Sequence, residues 1–114
     1  MTNVSATANT VVTDYTDLGN YISLHTGNPG STSTPANEAT GGSPAYARKA
    51  TTWTVSGAQA TGSAVTFNVP AGTYSYMGVC SGSSGNNLVD WGPITPQVVA
   101  SQTTITLTPL ATVS

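Results

Sequence analysis

Apolar and polar residues alternate in several short stretches of this chain, and the alternation has the period of extended backbone. Over residues 63–69, Val65, Phe67 and Val69 fall on one face and Ala64, Thr66 and Asn68 on the other, the pattern of a half-buried strand. Residues 103–108 repeat it with Ile105 and Leu107 inward and threonines outward, and residues 51–55 with Trp53 and Val55 inward. In residues 21–26 the buried pair is Ile22 and Leu24, which leaves Tyr21, Ser23 and His25 on the polar face. Residues 73–80 are apolar or aromatic on both faces, as in a central strand, and Leu88–Trp91 reads as a further short strand. The expected core is therefore Val65, Phe67, Val69, Ile105 and Leu107, with at least one of Trp53 and Trp91.

Turn chemistry separates these runs at hairpin spacing. Pro70-Ala71-Gly72 stands between two of them, and residues 82–87 (Gly-Ser-Ser-Gly-Asn-Asn) supply the positive-φ residues of a hairpin loop. Gly92-Pro93 and Thr95-Pro96 are expected to end the strand at Trp91, because proline cannot donate to a central ladder. One weak helix candidate spans Asn9 to Tyr21, with Val11, Val12, Tyr15 and Leu18 at helical spacing against several threonines and Gly19. The fold expected is all-β: an antiparallel β-sandwich or flattened barrel of about six to eight strands, immunoglobulin-like or jelly-roll-like.

Residues 1–114 read as a single β domain with an N-terminal arm over 1–19 and a long surface loop over 27–45. That loop is rich in Gly, Ser, Thr, Pro and Asn, and unstructured loops beyond about 12–15 residues are usually functional or disordered. A linker between two domains is the alternative, but the residues before it are too few for a core of their own.

Composition narrows the function. Only 5% of the 114 residues are charged, against about 25% in an average soluble domain. The charged residues are Asp14, Asp17, Glu38, Arg48, Lys49 and Asp90, for a net charge of −2. Neither nucleic acid nor an anionic membrane is an expected partner, since both require clustered Lys and Arg. Cys80 is the single cysteine, which excludes an intrachain disulfide and reads as a small buried hydrophobe. The first ten residues carry no basic or apolar region of a signal peptide, and no apolar stretch approaches the ~20 residues of a membrane span. Synthesis and folding in a cytoplasm-like compartment are expected.

No candidate chemistry emerges from the residues. Asp14 and Asp17 sit among polar neighbours rather than as a catalytic pair across a cleft. His25 is the only histidine, and a metal would need two or three further His, Cys or carboxylate ligands. Residues 27–30 and Gly41-Gly42 are not phosphate loops, because no lysine or helix start follows in frame. Arg48-Lys49, the only basic pair, is expected to flank a strand or pair with Glu38 or Asp90. No enzyme activity and no cofactor are expected.

Residues 21–30 (YISLHTGNPG), 36–42 (ANEATGG) and 46–49 (YARK) resemble a family of small tailed-bacteriophage virion proteins. The resemblance continues through Val65-Thr66-Phe67, Met77-Gly78-Val79 and residues 87–94 (NLVDWGPI), and so covers roughly residues 20–110. Relatives often carry Asp at the position of Asn28. The resemblance implies a virion structural protein assembled in the bacterial host cytoplasm, labelled in such families as tail fibre, minor tail or head decoration protein.

Between those roles the expectation is a capsid decoration (cement) protein. It would bind the outer surface of an assembled head, with the major capsid protein and neighbouring copies of itself as partners. The neutral, hydroxyl-rich composition and the lack of coiled-coil heptads or collagen-like repeats favour it. The alternative is a tail-tip or tail-fibre component whose partners are tail proteins or host surface glycan, with Trp53, Trp91 or the tyrosines as stacking platforms. Two sets of residues are singled out. Glu38 and Arg48, scarce charges shared with the family motif, are expected to pin the long loop through a bidentate bond. Asn28, Pro29, Ser31, Thr32 and Asn37 are expected to contact a partner.

Overall fold

The computed structural model describes residues 17–57 and 59–112. Among them nine strands form: β1 (Tyr21–His25), β2 (Lys49–Ala50), β3 (Trp53–Ser56), β4 (Gln59–Gly62), β5 (Val65–Val69), β6 (Gly72–Cys80), β7 (Leu88–Val99), β8 (Thr103–Leu107) and β9 (Leu110–Thr112). The described residues are nearly all-β and their named strand pairs are antiparallel. A four-stranded sheet runs β2-β1-β6-β7, a three-stranded sheet β3-β4-β9, and a two-stranded pair joins β5 to β8 across the intervening β6 and β7.

The alternation in β5 translates directly into packing. Val65, Phe67 and Val69 are buried and Thr66 is exposed, where its hydroxyl lies 2.9 Å from that of Thr106 across the pair. Phe67 sits opposite Ile105 in β8, and both face Ile22 and Leu24 of β1, Tyr74 and Val79 of β6, and Ala39 of the long loop. This is sandwich packing: the inner face of the β5–β8 pair closes the inner face of the four-stranded sheet.

Several expectations are corrected here. There are nine strands rather than six to eight, because β2 has two residues and β9 three, and β4 (QATG) carries almost no apolar signal. Neither tryptophan is mostly buried; Trp53, Trp91 and Leu107 are all half-buried. The strand expected to stop at Trp91 runs on to Val99, straight through Pro93 and Pro96. β7 is the outer strand of its sheet, where a proline has no neighbour to donate to on its open side. A register shift between Tyr74 and Tyr76 takes the pairing from Gln97 to Pro93 and absorbs the residues between them. The helix expected over Asn9–Tyr21 falls outside the described residues up to residue 16; Asp17 and Leu18 are helical, Gly19 and Asn20 are not, and Tyr21 already belongs to β1.

β1 is buried on both faces from Ile22 to His25, and the long loop is the cause. β2 pairs with β1 only at Tyr21 and Ile22, so the polar groups further along that edge need other partners. The loop supplies them. Ala39 N–H donates to Leu24 O (2.8 Å), Leu24 N–H to the Tyr46 hydroxyl (3.1 Å), and Thr26 N–H to Asn37 O (2.9 Å). Asn37 adopts a left-handed conformation with φ 58°, which asparagine tolerates better than most residues. Its side chain donates to Asn28 O (3.0 Å) and closes the turn.

Candidate functional site

Arg48 follows the long loop and its side chain is 4% exposed. A buried guanidinium is costly unless its donors are satisfied, and here they are. Nε and Nη2 donate to the two oxygens of Glu38 at 2.8 and 2.9 Å, a bidentate pair. Nη1 donates to Gly82 O (3.1 Å) and Asn87 Oδ1 (2.8 Å), and Nη2 also to Gly85 O (2.9 Å). Glu38 belongs to the long loop, while Gly82, Gly85 and Asn87 belong to the turn between β6 and β7. One side chain therefore ties two loops together beside the start of β2. The Tyr46 hydroxyl donates to Glu38 Oε2 (2.8 Å) and completes the clasp.

The charges of the clasp are mutually supported. Burial by itself would raise the Glu38 carboxyl, but the bonds from Arg48 and Tyr46 outweigh it and hold the group below its ordinary value. The same bond to Glu38 raises Arg48 against its partial burial. Burial drives the Tyr46 phenol far up, so it stays a donor.

Under the clasp lies a chain of polar groups on the second face of β1. Ser23 and His25 are both 0% exposed. Ser23 Oγ lies 2.7 Å from His25 Nε2, and His25 Nδ1 lies 2.9 Å from Ala36 O. A carbonyl only accepts, so Nδ1 carries the hydrogen and Nε2 accepts from Ser23. The Cys80 thiol donates to Ser23 Oγ at 3.7 Å. Burial lowers the His25 pKa, outweighing the Ala36 bond and the Glu38 charge, and burial raises the Cys80 thiol. Alternation puts His25 on a polar face that an isolated strand would leave open; the loop and the clasp cover it. A serine next to a histidine can make a nucleophile, yet this pair has no surface through which a substrate could reach it. The sequence signal for the packing is Gly78, paired with Ser23 across β1 and β6. A Cβ there would collide with Ser23 Oγ and come within 3.0 Å of His25 Nε2.

The loop residues singled out from sequence separate in the structure. Asn28, Ser31, Thr32 and Asn37 are exposed. Pro29 is fully buried, which removes it from the set that can touch a partner, and its carbonyl accepts from Ala36 N–H (2.9 Å). Beyond it, Gly30 at φ 98° turns the chain along the start of β7. Leu88 N–H donates to Ser33 O (3.0 Å) and the Trp91 indole N–H to Gly30 O (2.7 Å). Between these ties segments 30–33 and 88–91 line a cleft of about 270 Å³. Sequence patterning picks out Ser31, Thr32 and Trp91 separately but misses that they line one cleft, since 61 residues separate Gly30 from Trp91. Asp90, beside Trp91 in that cleft, stands out in the sequence only as a candidate partner for Arg48.

Among the described residues, no three His, Cys, Asp or Glu side chains gather to hold a metal, and no helix is long and apolar enough to cross a membrane. No curated protein and no solved structure matches the chain. One family does, described as Podophage GP4 fiber I protein gp80, and its match runs over residues 4–112.

Proposed function

The chain belongs to the Podophage GP4 fiber I protein gp80 family, a tail-fibre-like family of phage virion proteins, and from that premise we propose that it is a non-enzymatic fibre component contacting the host surface. The observation that carries this reading is the family match over nearly the full chain. The expectation of a head decoration protein has no comparable support. The neutral, hydroxyl-rich surface on which it rested suits a fibre as well as a shell.

The loop architecture supports a binding role. A protein that must meet an external surface gains from loops already held in place, because less ordering entropy is lost on contact. The clasp does this with the chain's scarce charges, leaving the exposed residues of the long loop neutral. On this reading its partners are other tail proteins, neighbouring copies and the host surface.

Location decides the matter. In a reconstruction of the virion, or with gold-labelled antibody to the exposed loop, the protein is expected on the fibres, and purified protein is expected to compete with particles for adsorption to host cells. Label distributed over the faces of the head would overturn the fibre reading and restore decoration.

A further inference from the structure

The cleft between segments 30–33 and 88–91 has a chemistry that points to one class of ligand. Ser31, Thr32 and Ser33 bring hydroxyl-bearing side chains to it, Asp90 a carboxylate and Trp91 an indole. The walls are cross-tied by the bonds from Leu88 N–H and the Trp91 indole N–H described above, and the Asp90 carboxylate is steadied by Trp91 N–H (2.8 Å). Tyr76 packs edge-on to Trp91, with ring centroids 5.6 Å apart and planes at 74°, so the indole is held in one orientation. Because the indole N–H is committed to Gly30 O, what Trp91 offers a ligand is its ring.

Elimination narrows the occupant. An anion is disfavoured: the wall carries a carboxylate, Arg48 has its donors engaged, and Lys49 lies in β2 at the opposite edge of the sheet. A wholly apolar ligand would strip water from three hydroxyls and a carboxylate and offer no hydrogen bond in return. A neutral polyhydroxyl ring satisfies both sides, with hydroxyls for Asp90 and the Ser/Thr wall and a C–H face for the indole. The volume of about 270 Å³ lies just below the roughly 300–1,000 Å³ of ligand pockets, a size for a single ring. We propose that this cleft binds a neutral saccharide residue, a hexose, deoxyhexose or N-acetylhexosamine of a surface polysaccharide, between the Trp91 ring and the Asp90 carboxylate. The fibre reading is needed only to say where that saccharide is met. One site of this size binds weakly alone, and repeated copies on a particle would supply avidity.

The test uses the full chain carrying Trp53→Phe, so that intrinsic fluorescence reports Trp91. Methyl glycosides of neutral hexoses, 6-deoxyhexoses and N-acetylhexosamines are titrated, with N-acetylneuraminic acid and inorganic phosphate as anionic probes. At least one neutral glycoside is expected to shift the emission saturably. Saturation-transfer NMR on the unsubstituted chain is expected to show contact with the ring protons of the same sugar. Asp90→Asn and the pair Ser31→Ala/Thr32→Ala are each expected to weaken binding at least fivefold without moving the melting temperature. Trp91→Ala, read by saturation-transfer NMR because it removes the reporting fluorophore, is expected to abolish binding, and if it does not fold, Trp91→Phe by the same readout and Asp90→Asn carry the decision. No binding by any neutral glycoside, equal binding by the Asp90 and Trp91 variants, or preference for an anionic probe overturns the proposal. A chain located on the fibre that binds no glycoside overturns the cleft alone; glycoside binding by a chain located on the head overturns the fibre reading alone.

Discussion

On one face of β1 and β6, Ile22, Leu24 and Val79 pack against Phe67, Val69 and Ile105. On the other, Ser23, His25 and Cys80 lie beneath the long loop and the Glu38–Arg48 clasp. Both layers are dry: Ile22, Leu24 and Phe67 on the first and Ser23, His25 and Cys80 on the second are all 0% exposed. The first layer gains from burial that is proportional to area and indifferent to direction. The second gains only if every donor finds an acceptor, and among the described residues no buried side-chain polar atom lacks a partner. The non-directional layer holds the sheets together. The directional layer fixes where the loops go, and with them the exposed wall of the cleft.

If that division of labour holds, the two layers fail differently when broken. The largest effect is expected from Phe67→Ala, which opens a void between both sheets and should cost about 3–5 kcal/mol. Chemical denaturation should show a lower midpoint with an unchanged slope, and a loss below about 1 kcal/mol would remove Phe67 from the centre of the core.

Breaking the clasp should cost less and act more locally. Glu38→Gln and Arg48→Gln each lose charge-assisted bonds at a site that is partly open on the Glu38 side, for about 2–3 kcal/mol. The double variant should lose less than the sum, because the second substitution removes a partner already orphaned. Limited proteolysis should then cut within residues 27–45 before the rest of the chain unfolds. Strict additivity, or cleavage that waits for global unfolding, would mean the two layers are one.

The smallest expected effect is on pH dependence, and it belongs to the polar layer alone. His25 titrates below its ordinary value of 6.5 in the folded chain because it is buried, so the unfolded chain binds its proton first. The stability it confers is complete above pH 6.5 and falls as pH drops toward the folded value. Glu38, also lowered when folded, adds a second loss below about pH 4.5, in the same direction. The groups facing His25 are Ser23, Glu38 and Arg48, with Cys80 behind Ser23. The melting temperature should therefore decline as pH drops below about 6.5, and His25→Gln should flatten that decline. A decline left intact in His25→Gln would place the titrating group elsewhere.

Much of the apolar layer is legible in the amino-acid sequence alone. Alternation with period two is a local property, and Val65, Phe67 and Val69 have only one common face on an extended chain, so their burial follows. Gly78 also carries a signal, since an isolated glycine in an apolar strand marks a close approach. The same local rule places Ser23 and His25 together correctly and then misjudges their surroundings. A polar face is open only if nothing folds over it, and what covers this one comes from residues 36–48 and 82–87. Pro29 is misjudged for the same reason, a turn residue by composition that its own loop buries. The prolines of β7 look like strand ends because the position of a strand within a sheet is invisible to its own residues.

Alternation and turn chemistry therefore determined the all-β class, which faces of β5 and β8 turn inward, and several of the apolar residues that meet between the sheets. The scarcity of charge drew attention to Glu38 and Arg48 as a pair. Only the tertiary structure decided that Arg48 would also grip the β6–β7 turn, that β7 would run through two prolines at an open edge, and that Ser31 and Thr32 would face Asp90 and Trp91. Strand patterning follows from each residue's own backbone and its nearest neighbours. Meeting points between residues roughly 40 to 60 positions apart depend on how the whole chain closes its loops, and no short window of sequence contains that information.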